Sequence, residues 1–128
     1  MPGSYLLDTN AAIAVLEERV TLGGVAGDLE SYLSLVVLAE LFYGAFKSAR
    51  IEQNLERVRR LTMVCPVIGP DEGTAELYGR IKAALRRGGR PIPDNDLWVA
   101  AVAIQHDLTL VTRDRHFDEV AGLQCIPW

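Results

Sequence analysis

Three features of this 128-residue sequence predict an α/β fold on a parallel sheet. Short apolar runs alternate with helical stretches from one end to the other. The inner runs are almost continuously apolar, as strands covered on both faces require. No repeat, low-complexity tract or linker breaks the alternation, so residues 1–128 read as a single domain.

Tyr5-Leu6-Leu7 reads as a short buried strand. Asp8-Thr9-Asn10 offers cap-forming side chains, and a helix is predicted from Ala11 to Arg19. Gly23, Gly24 and Gly27 mark a break. Leu33-Ser34-Leu35-Val36 reads as a second strand turning into a helix through about Lys47, with apolar residues at 38, 41, 42, 45 and 46 at helical spacing. Ile51 to Met63 is a charged helix with Leu55, Val58 and Leu61 inward. Val64 to Ile68 is strand-like, and Pro66 places it near an edge. Gly69-Pro70-Asp71 opens a helix that runs to about Arg87 and stops at Gly88-Gly89. Pro91 to Asp94 leads into an apolar helix from Asp96 to His106. A strand at Leu108–Thr112, a short helix at Arg115–Val120 and a strand at Leu123–Ile126 complete the chain.

Acidic residues punctuate the most apolar of these segments. Asp8 and Asp114 each follow a strand, Asp96 opens an apolar helix, and Glu40 interrupts Leu35–Tyr43 with no Lys or Arg in that run. A carboxylate beside buried structure is costly unless it is paired or bound to a cation. In a parallel α/β fold, ligands collect outside the carboxyl ends of the strands. All four residues can meet there, where oxygen donors suit Mg²⁺ or Mn²⁺. Asp94 is read as the cap of the apolar helix, and Asp96 as the site residue. Thr9 and Thr112 are candidates for orienting the carboxylates.

The composition, 49% hydrophobic and 23% charged, is that of a soluble globular protein, and the net charge is −4. Local clusters of base are more informative than that sum. Arg57, Arg59 and Arg60 form one cluster, and Arg80, Lys82, Arg86, Arg87 and Arg90 another, while Arg113 and Arg115 flank Asp114. The two cysteines, Cys65 and Cys125, share no close spacing with each other or with His106 and His116, which argues against zinc. His116 is read as structural or close to a nucleic acid, not as a general base. With no signal-like N-terminus and no apolar stretch of about 20 residues, a reducing cytoplasm is the expected home.

Four segments carry a family resemblance: Tyr5–Asn10, Val37–Gly44, Ile92–Ala101 and Leu110–Phe117. In this order and spacing they resemble the PIN-domain metal-dependent ribonucleases, and most closely the VapC toxins of bacterial VapBC toxin–antitoxin pairs. The resemblance implies a three-layer α/β/α sandwich around a parallel sheet. It also implies a cytoplasmic Mg²⁺- or Mn²⁺-dependent endoribonuclease, held inactive by a cognate VapB-type antitoxin. It maps an acidic quartet onto Asp8, Glu40, Asp96 and Asp114 as metal-binding and catalytic residues. The expected reaction is attack of a metal-activated water on an RNA phosphodiester, with Arg113 and Arg115 holding flanking phosphates. Leu38, Leu41, Phe42 and Phe46 cover more than one helix face; core packing accounts for that pattern equally well, and it is the resemblance that implies a surface there for a homodimer or for the antitoxin.

Other users of strand-end aspartates fit poorly. A phosphoacceptor receiver domain needs an acidic pair and a late Lys, but Asp8 stands alone and no Lys follows Lys82. A phosphatase with an Asp nucleophile needs a second Asp at position 10, which is Asn. The competing reading is a module that binds RNA or a partner without turning over.

Overall fold

The computed structural model describes residues 3–18 and 30–128. Five strands form one sheet: β1 (Ser4–Leu7), β2 (Glu30–Ser34), β3 (Val67–Ile68), β4 (Thr109–Val111) and β5 (Cys125–Ile126). Their spatial order is β3-β2-β1-β4-β5, and every neighbouring pair is parallel. Leu7 is in register with Leu33 on one side and Val111 on the other.

Five α-helices are described: α1 (Thr9–Leu16), α2 (Leu35–Phe46), α3 (Ile51–Val64), α4 (Glu72–Arg87) and α5 (Asp94–Gln105). A 3₁₀ helix spans Arg115–Glu119. Parallel crossovers are right-handed. The moves from β1 to β2 and from β2 to β3 run one way along the sheet, so α1, α2 and α3 share one face. The return from β3 to β4 runs the other way and puts α4 and α5 on the opposite face. This is the three-layer α/β/α arrangement expected from the sequence.

The sheet's centre explains its apolar runs. Leu6, Leu7, Leu33, Leu110 and Val111 are completely buried, as are Ala100, Ala101 and Ala103 of α5. Burying a side chain of Leu or Val size stabilises by about 1.5–3 kcal/mol. On α2 the buried stripe is Val37, Leu41 and Ala45, at intervals of four. Leu41, 5% exposed, therefore belongs to the core and not to the outward apolar face of the helix. Leu35, Tyr43 and Phe46 are the exposed large hydrophobic side chains of this helix.

Local chemistry sets most boundaries. Ser34 ends β2 because its Oγ accepts the Val37 N–H at 3.1 Å and caps α2, so the strand stops before Leu35 and Val36. The strand expected over Val64–Ile68 shrinks to Val67–Ile68. Val64 belongs to α3, whose last turn continues through the Cys65 N–H bonded to the Leu61 carbonyl at 2.9 Å. Pro66 lies at the sheet edge as expected, accepting from the Leu33 N–H at 3.0 Å. Helix α4 begins with a capping box between Asp71 and Thr74. It closes at Gly89, whose φ of +69° lets the Arg90 N–H reach the Leu85 carbonyl. The last strand narrows to Cys125–Ile126. The expected break at Gly23, Gly24 and Gly27, and Arg19 at the end of the first predicted helix, lie outside the described residues. No helix among the described residues is long and apolar enough to cross a membrane.

Candidate active site

The strand order reverses between β1 and β4. The chain leaves β1 towards β2 but leaves β4 towards β5, so a crevice opens at the carboxyl ends of the two central strands. Asp8 follows β1 directly, and Asp114 follows β4 after Thr112 and Arg113. The Asp8 N–H donates to the Val111 carbonyl at 3.1 Å, tying the two strand ends together.

Asp8 also caps α1. Its Oδ1 accepts the Ala11 N–H at 2.7 Å, and the Thr112 hydroxyl bonds to the same carboxyl group. The residue is 7% exposed. Burial raises its pKa above the ordinary 3.8; the hydrogen bonds from Thr112 and Ala11 oppose this, and the Asp114 charge adds to it.

Glu40 lies on α2, one residue before buried Leu41, where the apolar stripe meets the crevice. The Thr9 hydroxyl donates to one of its oxygens at 3.1 Å, and Asn95 Nδ2 reaches the other at 3.4 Å. Two helix starts, those of α1 and α5, therefore orient this one carboxylate. Thr9 holds Glu40 and Thr112 holds Asp8.

Asp96 lies in the first turn of α5, where free N–H groups and the helix dipole favour negative charge. Burial is the main cause of its raised pKa. The contact with His116 lowers it, and the Asp114 and Glu40 charges raise it again. Asp114 is anchored through its own N–H, which donates to Thr112 Oγ1 at 3.0 Å. Thr112 thus accepts from one site residue's backbone and bonds to another's side chain.

His116 is the neighbour that sequence reasoning set aside. Its Nε2 is 2.8 Å from Asp96 Oδ2, and its Nδ1 is 2.9 Å from Asp114 Oδ1. Phe117, 1% exposed, anchors the segment that carries it. The spacing Asp114-x-His116, with both residues just after a strand, was the available signal. Ligand atoms of Asp96, Asp114 and His116 all lie within 4.8 Å of one another.

Asp94 is corrected. The helix starts at Asp94 with Pro93 in the capping position, and no side chain caps it. Asp94 instead accepts from Tyr78 Oη at 2.9 Å and lies 3.3 Å from Lys82 Nζ. It is bound to α4 and not to the helix end assigned to it. Arg113 is also committed elsewhere: its Nε donates to the Trp128 carbonyl at 2.6 Å, and its guanidinium lies 3.7 Å from the Trp128 ring centroid. Arg115 is exposed beside it at the start of the 3₁₀ helix.

Among the described residues, no Lys or Arg forms an ion pair with Asp8, Glu40, Asp96 or Asp114. The group is a set of mutually repelling carboxylates, two of them held above their ordinary pKa, with one imidazole between two members. Such a set fits a divalent cation that prefers oxygen ligands. The thiols do not join it: Cys65 is fully buried, and burial pushes both Cys65 and Cys125 up to about 11.

Comparison with known proteins identifies the family and the fold. The PIN domain model matches residues 5–123. Ribonuclease VapC1 of Haemophilus influenzae strain R2866 is 33% identical, over 97% of both chains. The tRNA(fMet)-specific endonuclease VapC of Shigella flexneri is also 33% identical, over 97% of both. Among solved structures, VapBC2 from Rickettsia felis bound to a DNA fragment from their promoter superposes with a TM-score of 0.89 at 29% identity, covering 98% of each chain. VapBC-1 from nontypeable Haemophilus influenzae gives 0.87 at 31% identity, again over 98% of each. With a family model covering most of its length and full-length relatives of this similarity, the chain belongs to the PIN domain family, alongside the VapC ribonucleases.

Proposed function

We propose that this chain is a VapC-type toxin, a single-domain endoribonuclease that uses Mg²⁺ or Mn²⁺ and is restrained by a VapB-type antitoxin. The observation that carries the proposal is the gathering of Asp8, Glu40, Asp96 and Asp114 at the β1/β4 crevice without a Lys or Arg partner among the described residues. The names of the relatives, ribonuclease and endonuclease, support the reaction class.

Asp8, Asp96 and Asp114 are the residues that would hold the cation, with Glu40 completing the set. When bound, the cation supplies charge neutralisation and acidifies a coordinated water towards neutral pH. The remaining work falls to the protein. Thr112 fixes the Asp8 carboxyl group and the Asp114 backbone together, so the two cannot drift apart. Glu40, clamped by Thr9 and Asn95, has a defined direction from which to orient a water and accept its proton. Asn10, Arg113, Asp114 and Trp128 line an opening next to the carboxylates, and Arg115 flanks it. Arg115 would meet a phosphate beside the cut there, while Arg113, held by Trp128, shapes the rim of the opening.

The antitoxin has a fitting surface on the α1-α2-α3 face. A groove of ≈ 370 Å³ runs between Ile13, Leu16, Leu41 and Val58, with Glu40 and Arg57 on its rim. Apolar walls with charged ends suit a short amphipathic segment. The proposal also includes a homodimer, for which exposed Phe46 and Tyr43 are candidate contacts; a monomer in sedimentation at high concentration contradicts it.

The test is to incubate purified, antitoxin-free protein with total cellular RNA, with and without Mg²⁺ or Mn²⁺, beside Asp8→Asn. Discrete fragments that need both the metal and Asp8 establish the activity. A folded protein that binds metal and cuts no RNA favours a module without turnover.

A further inference from the structure

A second cleft lies on the opposite layer, between α4 and the loop that precedes α5. It encloses ≈ 310 Å³ and is lined by Lys82, Leu85, Arg86, Pro91, Ile92 and Leu97. Pockets that hold small organic groups run about 300–1,000 Å³. Leu85 and Leu97, 6% and 2% exposed, make an apolar floor, and the two cations stand on one wall. Leu97 directly follows Asp96, so the cleft adjoins the helix turn that carries a site carboxylate.

The charges here are not equivalent to their neighbours. Arg80 is paired with Glu76 at 3.2 Å, and Arg90 with Glu119 at 2.9 Å. Lys82 is held against the cleft wall by Asp94 at 3.3 Å and by the Tyr78 hydroxyl at 3.2 Å, while 39% of its side chain stays accessible. The Tyr78 ring is itself fixed by stacking on Trp98, with centroids 4.3 Å apart. Arg86, like the adjacent Arg87, has no acidic partner among the described residues, but Arg86 alone of the two lines the cleft. A guanidinium without an acidic partner among the described residues, a pre-positioned ammonium and an apolar floor together match the phosphate and base of one nucleotide.

We propose that this cleft binds a nucleotide of the RNA strand flanking the cut, with Arg86 and Lys82 on its phosphate and Ile92 with the Leu85–Leu97 floor against its base. The proposal rests on the ribonuclease reading above. It adds a strand-positioning site on the α4 side of α5. Arg86 also lies in the last turn of α4, where a cation complements the helix dipole. That role alone affects thermal stability and leaves the salt dependence of RNA binding unchanged.

The experiment measures anisotropy of a labelled mixed-sequence single-stranded RNA, roughly a dozen nucleotides long, across a salt series. The Asp8→Asn protein is used throughout so that the strand stays intact. Adding Arg86→Ala should weaken binding several-fold and flatten the dependence of log K on log salt by about 0.7, the contribution of one phosphate contact on a single strand. Arg80→Ala removes the same charge from the same helix outside the cleft, and should leave the slope unchanged. Ile92→Ser should weaken binding without changing the slope. If Arg86→Ala and Arg80→Ala give the same affinity and slope, the proposal is overturned. The parent reading is checked separately by RNA cleavage with the Asp8-containing protein, so a failed cleft and a failed ribonuclease assignment give different results.

Discussion

Replacing Thr112 with Val tests whether the β4 terminus couples two of the site carboxylates. Val keeps the shape and the β-branched fit at the strand end but removes the hydroxyl. That hydroxyl bonds to the Asp8 carboxyl group and accepts the Asp114 N–H at 3.0 Å, in a position only 6% exposed. A hydrogen bond to a charged group contributes about 1.5–3 kcal/mol. At about 1.4 kcal/mol per tenfold, this is a loss of about 10–100-fold in Mn²⁺ affinity, the range seen when groups behind a metal ligand are removed. The pH dependence should move as well. Burial already raises the Asp8 pKa, and Thr112 is the largest influence lowering it. Without the hydroxyl, the Asp8 carboxyl rises further and a proton competes with the cation at higher pH. The acid limb of Mn²⁺ binding should therefore shift upward. Calorimetric titration with Mn²⁺ from pH 5 to 8, with circular dichroism to confirm folding, measures both effects. A folded Thr112→Val protein with unchanged affinity and an unchanged acid limb refutes the reasoning.

Other outcomes follow from the same structure. Asp96→Asn and Asp114→Asn should each reduce RNA cleavage more than ~100-fold, beyond the usual cost of losing a supporting group, while circular dichroism stays native; a variant with near-normal turnover removes that residue from the site. Leu110→Ala, at a completely buried position in β4, should destabilise by about 2–5 kcal/mol in urea unfolding, and a loss below 1 kcal/mol contradicts its place in the core. Saturating Mn²⁺, at about 100 times its Kd, should stabilise the fold by about 2.7 kcal/mol through linkage, read as a rise in melting temperature that EDTA reverses and Asp8→Asn abolishes. Fully buried and with its pKa pushed up to about 11, Cys65 should resist a thiol reagent at pH 8 until the chain unfolds; rapid labelling of Cys65 in the native protein shows that the packing is wrong.

The legible parts of this molecule were those set by local pattern. Leu6-Leu7, Leu33 and Leu110-Val111 are apolar because both sheet faces are covered, and that pattern survives in sequence. The positions of Asp8 and Asp114 after strands, and of Asp96 at a helix start, followed from the same alternation. What sequence hid was pairing across the fold. Asp94 looks like a cap because Asp favours helix starts, but Tyr78 and Lys82, 16 and 12 residues away, claim its carboxylate. His116 looks structural until the return of β4 places it between Asp96 and Asp114. Arg113 looks free beside Asp114, yet Trp128, 15 residues on, takes its guanidinium. Leu41 looks like part of an outward apolar face because α2 is apolar on several sides, and only packing against α1 and α3 separates its buried stripe from the exposed Phe46.

The most direct test of the central claim is a crystal structure of the protein soaked in Mn²⁺, with the ion located by anomalous scattering. The account predicts a peak at the β1/β4 crevice about 2.0–2.2 Å from carboxylate oxygens of Asp8, Asp96 or Asp114. A peak elsewhere, or a crevice with no ion at millimolar Mn²⁺ and near-neutral pH, contradicts it.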